Sequence, residues 1–181
     1  MPPSYVRTLR DQLFYEFAEL ISRSERGRVD SRFVKSRFKS LRSGAITPLG
    51  ILHRWELERS QEQACAFCGA TESLRQEPMI LKCHGGVDDA ENLVWTCATC
   101  QRSREDKSVF EWLGLKTKYE VPRIVAGRYL KLLLDWHERA GTLDMDAKAI
   151  ALHCSSCRLL QVCGAWGNVG KLNCLCTECR F

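Results

Sequence analysis

The sequence predicts a mainly helical α+β fold, interrupted by one small cysteine-clipped unit and closed by another. Three observations carry that prediction. Apolar residues recur at three- and four-residue steps through several stretches, the pattern of helices with one buried face. Eight of the eleven cysteines fall into four Cys-x-x-Cys pairs, at 65/68, 97/100, 154/157 and 176/179. With 45% hydrophobic and 27% charged residues in 181, the chain is apolar enough to bury a core, which excludes a disordered tail or a fibre.

The first helical stripe runs from Tyr5 to Ser22 through Val6, Leu9, Leu13, Phe14, Phe17, Leu20 and Ile21, and reads as a core face. A loop carrying Gly27 follows, and Asp30 then caps a second helix that turns Phe33, Val34, Phe38 and Leu41 inward. Its other face carries Arg32, Lys35, Arg37, Lys39 and Arg42. Ser43-Gly44 stops it. Thr47-Pro48 offers an N-cap and a proline at the first helical position, predicting a third helix to about Gln63 with Leu49, Leu52 and Trp55 as its stripe.

Residues 64–107 change character. Leu74 to Lys82 reads as an extended strand, Gly85-Gly86 as a turn, Asn92-Leu93-Val94-Trp95 as the returning strand, and Cys97-x-x-Cys100 as the opening of a helix bearing Gln101, Arg102, Arg104 and Lys107. Ser108 with Glu111 forms a capping box for a short helix to about Leu113, and Pro122 opens a longer one closed by Gly141. Both read as further core. The expected units are a basic helical region at 1–63, the cysteine motif at 64–107, helices at 108–141 packing on the first ones, and a terminal ribbon within 150–181.

Cysteines at this density serve either disulfides in an oxidising compartment or thiolates on zinc in a reducing one. The paired spacing favours zinc, because two sulfurs three residues apart reach one tetrahedral ion. Two structural zinc ions are expected, on Cys65, Cys68, Cys97 and Cys100 and on Cys154, Cys157, Cys176 and Cys179. Cys163, Cys174 and His153 compete for the second site, while Cys163 and Cys83 also read as small buried hydrophobes. No run approaches the roughly 18 apolar residues of a membrane span, and Met1-Pro2-Pro3-Ser4-Tyr5 lacks a secretory layout. A soluble, cytoplasmic or nucleoid-associated protein with no membrane partner is the expectation.

The segment from Cys65 to Lys107 resembles the HNH endonuclease family, whose cysteine-bearing members share an architecture called ββα-metal. The resembling elements are Cys65-x-x-Cys68, Glu77 before Met79-Ile80, Gly85-Gly86, Asp88-Asp89, Asn92-Leu93 and Cys97-x-x-Cys100 with a basic helix after it. The resemblance implies an acidic metal ligand at Glu77 and an asparagine at Asn92. It also implies a histidine general base where this chain has Pro78, and a histidine or asparagine where it has Gln101. Proline cannot accept a proton. His84 is a candidate to enter the vacancy, against its plainer reading as an exposed turn residue. Glu77 with Asp88 or Asp89 can also be read as holding a catalytic magnesium, manganese or nickel ion, against turn chemistry for the two aspartates and a surface pairing of Glu77 with Lys82 or Arg75.

The net charge of +5 lies wholly in residues 1–44, where ten Arg or Lys face five Asp or Glu. A phosphate-contacting face produces such asymmetry, and so does a solvated helix. The resemblance implies that the helix after Cys100 lies against a nucleic-acid backbone, so nucleic acid, DNA foremost, is the expected partner, through Arg32, Lys35, Arg37, Lys39 and Arg42 and through Arg102, Arg104 and Lys107. The leading expectation is a nucleic-acid-binding protein with a degenerate nuclease site. An active metal-dependent endonuclease using Glu77, His84 and Asn92 is the first alternative, and a zinc adaptor subunit in a protein complex the second.

Overall fold

A computed structural model describes residues 3–58, 63–114 and 116–146. The expected ribbon, with Cys154, Cys157, Cys176 and Cys179, and the undecided Cys163, Cys174 and His153, lies outside the described residues. What is described is mainly helical with one two-stranded sheet.

Helix α1 spans Leu9–Arg26, starting four residues later and ending four later than the apolar stripe suggests. Its start is set by a capping box: Thr8 Oγ1 accepts the Asp11 N–H at 3.2 Å, and Asp11 Oδ2 accepts the N–H groups of Arg7 and Thr8. Its end is set by Gly27, whose φ of +70° closes the last turn onto Arg23. Helix α2 spans Ser31–Arg42, and Asp30 Oδ1 accepts from the N–H groups of Arg32 and Phe33. Val34, Phe38 and Leu41 are buried, and α1 is the main packing partner of α2.

Helix α3 spans Pro48–Glu58 and helix α6 spans Arg123–Arg139. The two cross at Gly127, where a Cβ would meet Leu52 Cδ2 at 2.7 Å and Trp55 at 3.0 Å. Absence of a side chain there lets the fully buried Trp55 lie against the α6 backbone. Helix α6 also packs on α1, so α1 lies between α2 and α6. Leu9, Leu13, Phe17, Leu133 and Tyr129 are wholly enclosed, each apolar side chain contributing about 2 kcal/mol of transfer free energy.

Strand β1 (Leu74–Pro78) pairs antiparallel with strand β2 (Leu93–Cys97), with Glu77 opposite Val94 and Pro78 opposite Leu93. Helix α4 (Ala98–Arg104) and the short helix α5 (Val109–Trp112, with the Ser108/Glu111 capping box) follow. The expected strand to Lys82 stops at Pro78. The cause is Asn92, whose side chain takes both backbone groups of Ile80 out of the ladder.

The strand, strand, helix unit does not stand apart. Its Met79, Ile80 and Val94 belong to the same apolar cluster as α1, α2, α3 and α6. Arg128 of α6 donates to Glu56 of α3 and to the Leu93 carbonyl at 3.1 Å, while Lys131 pairs with Glu91 at 2.9 Å. Helix α6 is therefore the mount on which the unit is seated. Among the described residues no helix is long and apolar enough to cross a membrane.

Candidate metal centre and the adjoining polar site

The chain brings two distant cysteine pairs together. The turn at 65–70 is closed by Gly69 N–H on the Cys65 carbonyl and Cys65 N–H on the Ala70 carbonyl, and it is pinned to β2 by Ala66 N–H on the Trp95 carbonyl at 2.7 Å. Strand β2 then delivers Cys97, whose sulfur caps α4 by accepting the Cys100 N–H. The four sulfurs of Cys65, Cys68, Cys97 and Cys100 all lie within 4.8 Å of one another, and those of Cys68 and Cys97 are 3.6 Å apart. Sulfurs on one tetrahedral ion sit about 3.8 Å apart, so the cluster fits a single metal ion.

The protonation chemistry agrees. Burial opposes ionisation of Cys65, but the N–H groups of Cys68, Cys97 and Phe67 outweigh it and bring the thiol down to about 6. Burial pushes the Cys100 thiol up, and its sulfur neighbours push it the same way. Four sulfurs at this distance cannot all be thiolates without a cation between them. Phe67, Leu74 and Trp112 wall the cluster. Phe67 and Trp112 meet edge to face at 5.0 Å, and Trp112 Nε1 donates to Ser103 of α4.

One residue beyond the last cysteine, Gln101 reaches across to the sheet, and its Nε2 donates to Glu77 Oε1 at 2.5 Å. Pro78 follows Glu77 at the end of β1. Glu77 is thus neither an exposed carboxylate nor a partner of Lys82, which pairs with Asp88 at 2.5 Å. Asp89 accepts the Glu91 N–H and caps the turn there. Among the described residues the four cysteines are the only group of three or more His, Cys, Asp or Glu placed to share an ion.

Four sequence readings need correction. Asn92 is fully buried, and its side chain is spent on backbone: Oδ1 accepts from Ile80, and Nδ2 donates to the carbonyls of Ile80 and Val87. It positions the loop and has no face open to a substrate. His84 is buried rather than exposed, and its Nε2 lies 2.6 Å from the Asp106 carbonyl. A carbonyl can only accept, so that nitrogen carries the proton and is not the one that takes another. Cys83 is exposed, not a buried hydrophobe. Arg104 is 4% exposed, and its guanidinium donates to the carbonyls of Pro78, Met79 and Lys107, which removes it from the phosphate-contacting set.

The turn between β1 and β2 is tight. A Cβ on Gly86 would stand 1.7 Å from the Ile80 carbonyl oxygen, so only glycine fits. The other basic candidates are exposed or half-buried. Arg102 and Lys107 lie at the surface, Lys107 beside Glu105 at 3.2 Å. On α2, Arg32, Lys35, Lys39 and Arg42 are exposed, whereas Arg37 is tied to Glu25 at 3.0 Å. Arg128 is the site-building residue that sequence reasoning missed, and Arg104 is the one it assigned to phosphate. Only tertiary contact reveals that Arg128 grips the Leu93 carbonyl and Arg104 those of Pro78, Met79 and Lys107. Compared with known proteins, the chain matches no family model, no curated protein and no solved structure.

Proposed function

We propose that this chain binds nucleic acid on a zinc-held strand, strand, helix scaffold of HNH type whose hydrolytic site is disabled. The observation that carries the reading is the Glu77–Gln101 pair beside Pro78. The metal cluster fixes α4 against the sheet, and the first residue after it meets the carboxylate where the resemblance expects a metal-binding and water-activating constellation. In this chain that place holds a carboxylate, a carboxamide and a proline. The proline and the carboxamide cannot take a proton from water, and the Glu77 carboxylate already accepts from Gln101.

Zinc is the ion that suits the cluster, since a closed set of four cysteine sulfurs is a structural zinc site with no open position for a water. Cys65, Cys68, Cys97 and Cys100 would hold it. Its contribution is to fix Gln101, Arg102 and the turn after α4. Loss of general-base assistance removes about 10²–10⁴ in rate.

The test is cleavage of supercoiled plasmid and of single-stranded DNA and RNA with magnesium, manganese or nickel, beside Pro78→His, Glu77→Ala and a chelator control. The reading expects no cutting by the native protein above the chelator control. Cutting that Glu77→Ala abolishes makes the protein an active endonuclease instead.

A further inference from the structure

Charge is distributed over this fold in a way that separates capture from the polar site. Residues 23–42, the end of α1 and all of α2, hold eight Arg or Lys against two Asp or Glu, more than the net +5 of the whole chain. Residues 63–107 hold five basic against seven acidic residues, and one of the five, Arg104, is buried. Most of the charge that attracts a polyanion therefore lies on the α1–α2 hairpin and not on the strand, strand, helix unit.

The outward face of α2 has the chemistry of a phosphate ladder. Arg32, Lys35, Ser36 and Lys39 are exposed at three- and four-residue steps, and no acidic residue lies within the helix. Among the described residues Arg32 and Lys39 make no ion pair, and Lys35 only overlies the Tyr5 ring at 5.8 Å. Seven residues of helix span about 10 Å, enough for two or three successive phosphates on one strand. The apolar side of α2 is already spent on α1, so the ladder is rigidly backed.

We infer that the α1–α2 hairpin is a separate, sequence-independent docking surface for the phosphate backbone of a nucleic-acid duplex, with Arg32, Lys35 and Lys39 as its contacts. Two features select the duplex. Single-strand binders stack bases on exposed aromatic rings, whereas the rings at the ladder are already engaged: Phe33 is overlain by the Arg26 and Arg37 guanidiniums at 4.8 and 4.7 Å, and Tyr5 packs against Phe38 and Tyr15 at 5.1 and 6.4 Å. A membrane-surface helix sinks an apolar face into lipid, whereas the apolar face of α2 is inside the fold. The site is also remote. Helix α2 packs chiefly on α1, and its contacts with β1, β2 and α4 are at most marginal.

The inference rests on the nucleic-acid reading above, and the experiment separates the two. Binding of the full chain to a short labelled duplex, to the matching single strand and to vesicles rich in anionic lipid is measured across a salt series from about 50 to 200 mM. The same series is run for Arg32→Ala/Lys35→Ala/Lys39→Ala and for Arg102→Ala/Lys107→Ala, with circular dichroism to confirm that each folds. The hairpin variant is expected to lose at least tenfold in duplex affinity and about 2–3 from the salt slope, and the α4 variant far less. Unchanged duplex affinity and slope in the hairpin variant overturn this inference and leave the function standing. Tighter binding to single strand or vesicles than to duplex overturns it as well. No binding to any nucleic acid by the native chain overturns both.

Discussion

Asn92 grips Ile80 from both sides. Its Oδ1 accepts the Ile80 N–H at 2.8 Å and its Nδ2 donates to the Ile80 carbonyl at 2.9 Å, with a second bond from Nδ2 to the Val87 carbonyl. One buried carboxamide thereby stands in for the ladder that β1 abandons after Pro78, and it holds the loop that contains Gly86. Asn92→Ala leaves the buried Ile80 N–H and carbonyl unpaired, each costing about 1–3 kcal/mol, while the Val87 carbonyl keeps the Asp89 N–H. Urea unfolding is expected to show a loss of at least about 2 kcal/mol. A loss below about 1 kcal/mol contradicts the assignment.

The metal cluster should act as a staple for the centre of the fold. Cys97→Ser is expected to lower bound zinc by one ion per chain and to lower the melting temperature, because ligand binding and folding of a small metal motif are one equilibrium. Trp112 and Phe67 wall the cluster, so Trp112 fluorescence should shift when a chelator strips the ion. A Cys97→Ser protein with unchanged zinc content and melting curve contradicts the staple.

Backbone strain is stored beside the cluster. Glu105 has φ +54° and ψ −129°, and the Lys107 N–H bonds the Arg104 carbonyl, which makes 104–107 a turn that prefers glycine at its second position. Glu105→Gly relieves strain of about 1–3 kcal/mol while adding roughly 1 kcal/mol of unfolded-state entropy. A small net stabilisation is expected, read as a rise of a few degrees in melting temperature. A fall would show that the Glu105 side chain matters more than its backbone.

High pH should unfold the α1 side of the core. Burial raises the Tyr15 hydroxyl above its ordinary pKa, and Glu19 adds to the rise. Burial likewise raises Tyr119, against the opposing pull of Lys118, and Tyr119 donates to Glu19 at 2.9 Å. A group whose native pKa lies above its unfolded value holds its proton longer in the native state, so stability is full below about pH 10 and falls as pH climbs beyond it. Tyrosinate absorbance is expected to rise together with loss of helix. Ionisation of these tyrosines near pH 10 with the helices intact contradicts it.

How much of this was readable in the sequence depends on whether the signal is local. Asp30, the Ser108/Glu111 box and Gly141 mark helix ends through bonds a few residues away, and the pattern of residues alone places them. The cysteine pairs are local too, and their convergence follows once two strands return to one place. The roles of Asn92, His84 and Arg104 are not local. Asn92 bonds twelve residues back, His84 bonds a carbonyl 22 residues on, and Arg104 reaches 26 residues back to Pro78. A polar residue type reads the same whether it meets solvent, substrate or a buried carbonyl, so sequence pattern assigned all three to chemistry when two of them build the loop around Glu77. Length of β1 failed for the same reason, because a side chain from elsewhere ended it.

The most direct measurement of the central claim reads binding and cutting in one tube: a labelled duplex with the native zinc-loaded protein and added magnesium or manganese, followed by anisotropy for complex formation and by denaturing gel for products. The account predicts salt-sensitive binding with no cleavage, and the appearance of products with Pro78→His. Cleavage by the native protein that Glu77→Ala abolishes, or no binding at low salt, contradicts it.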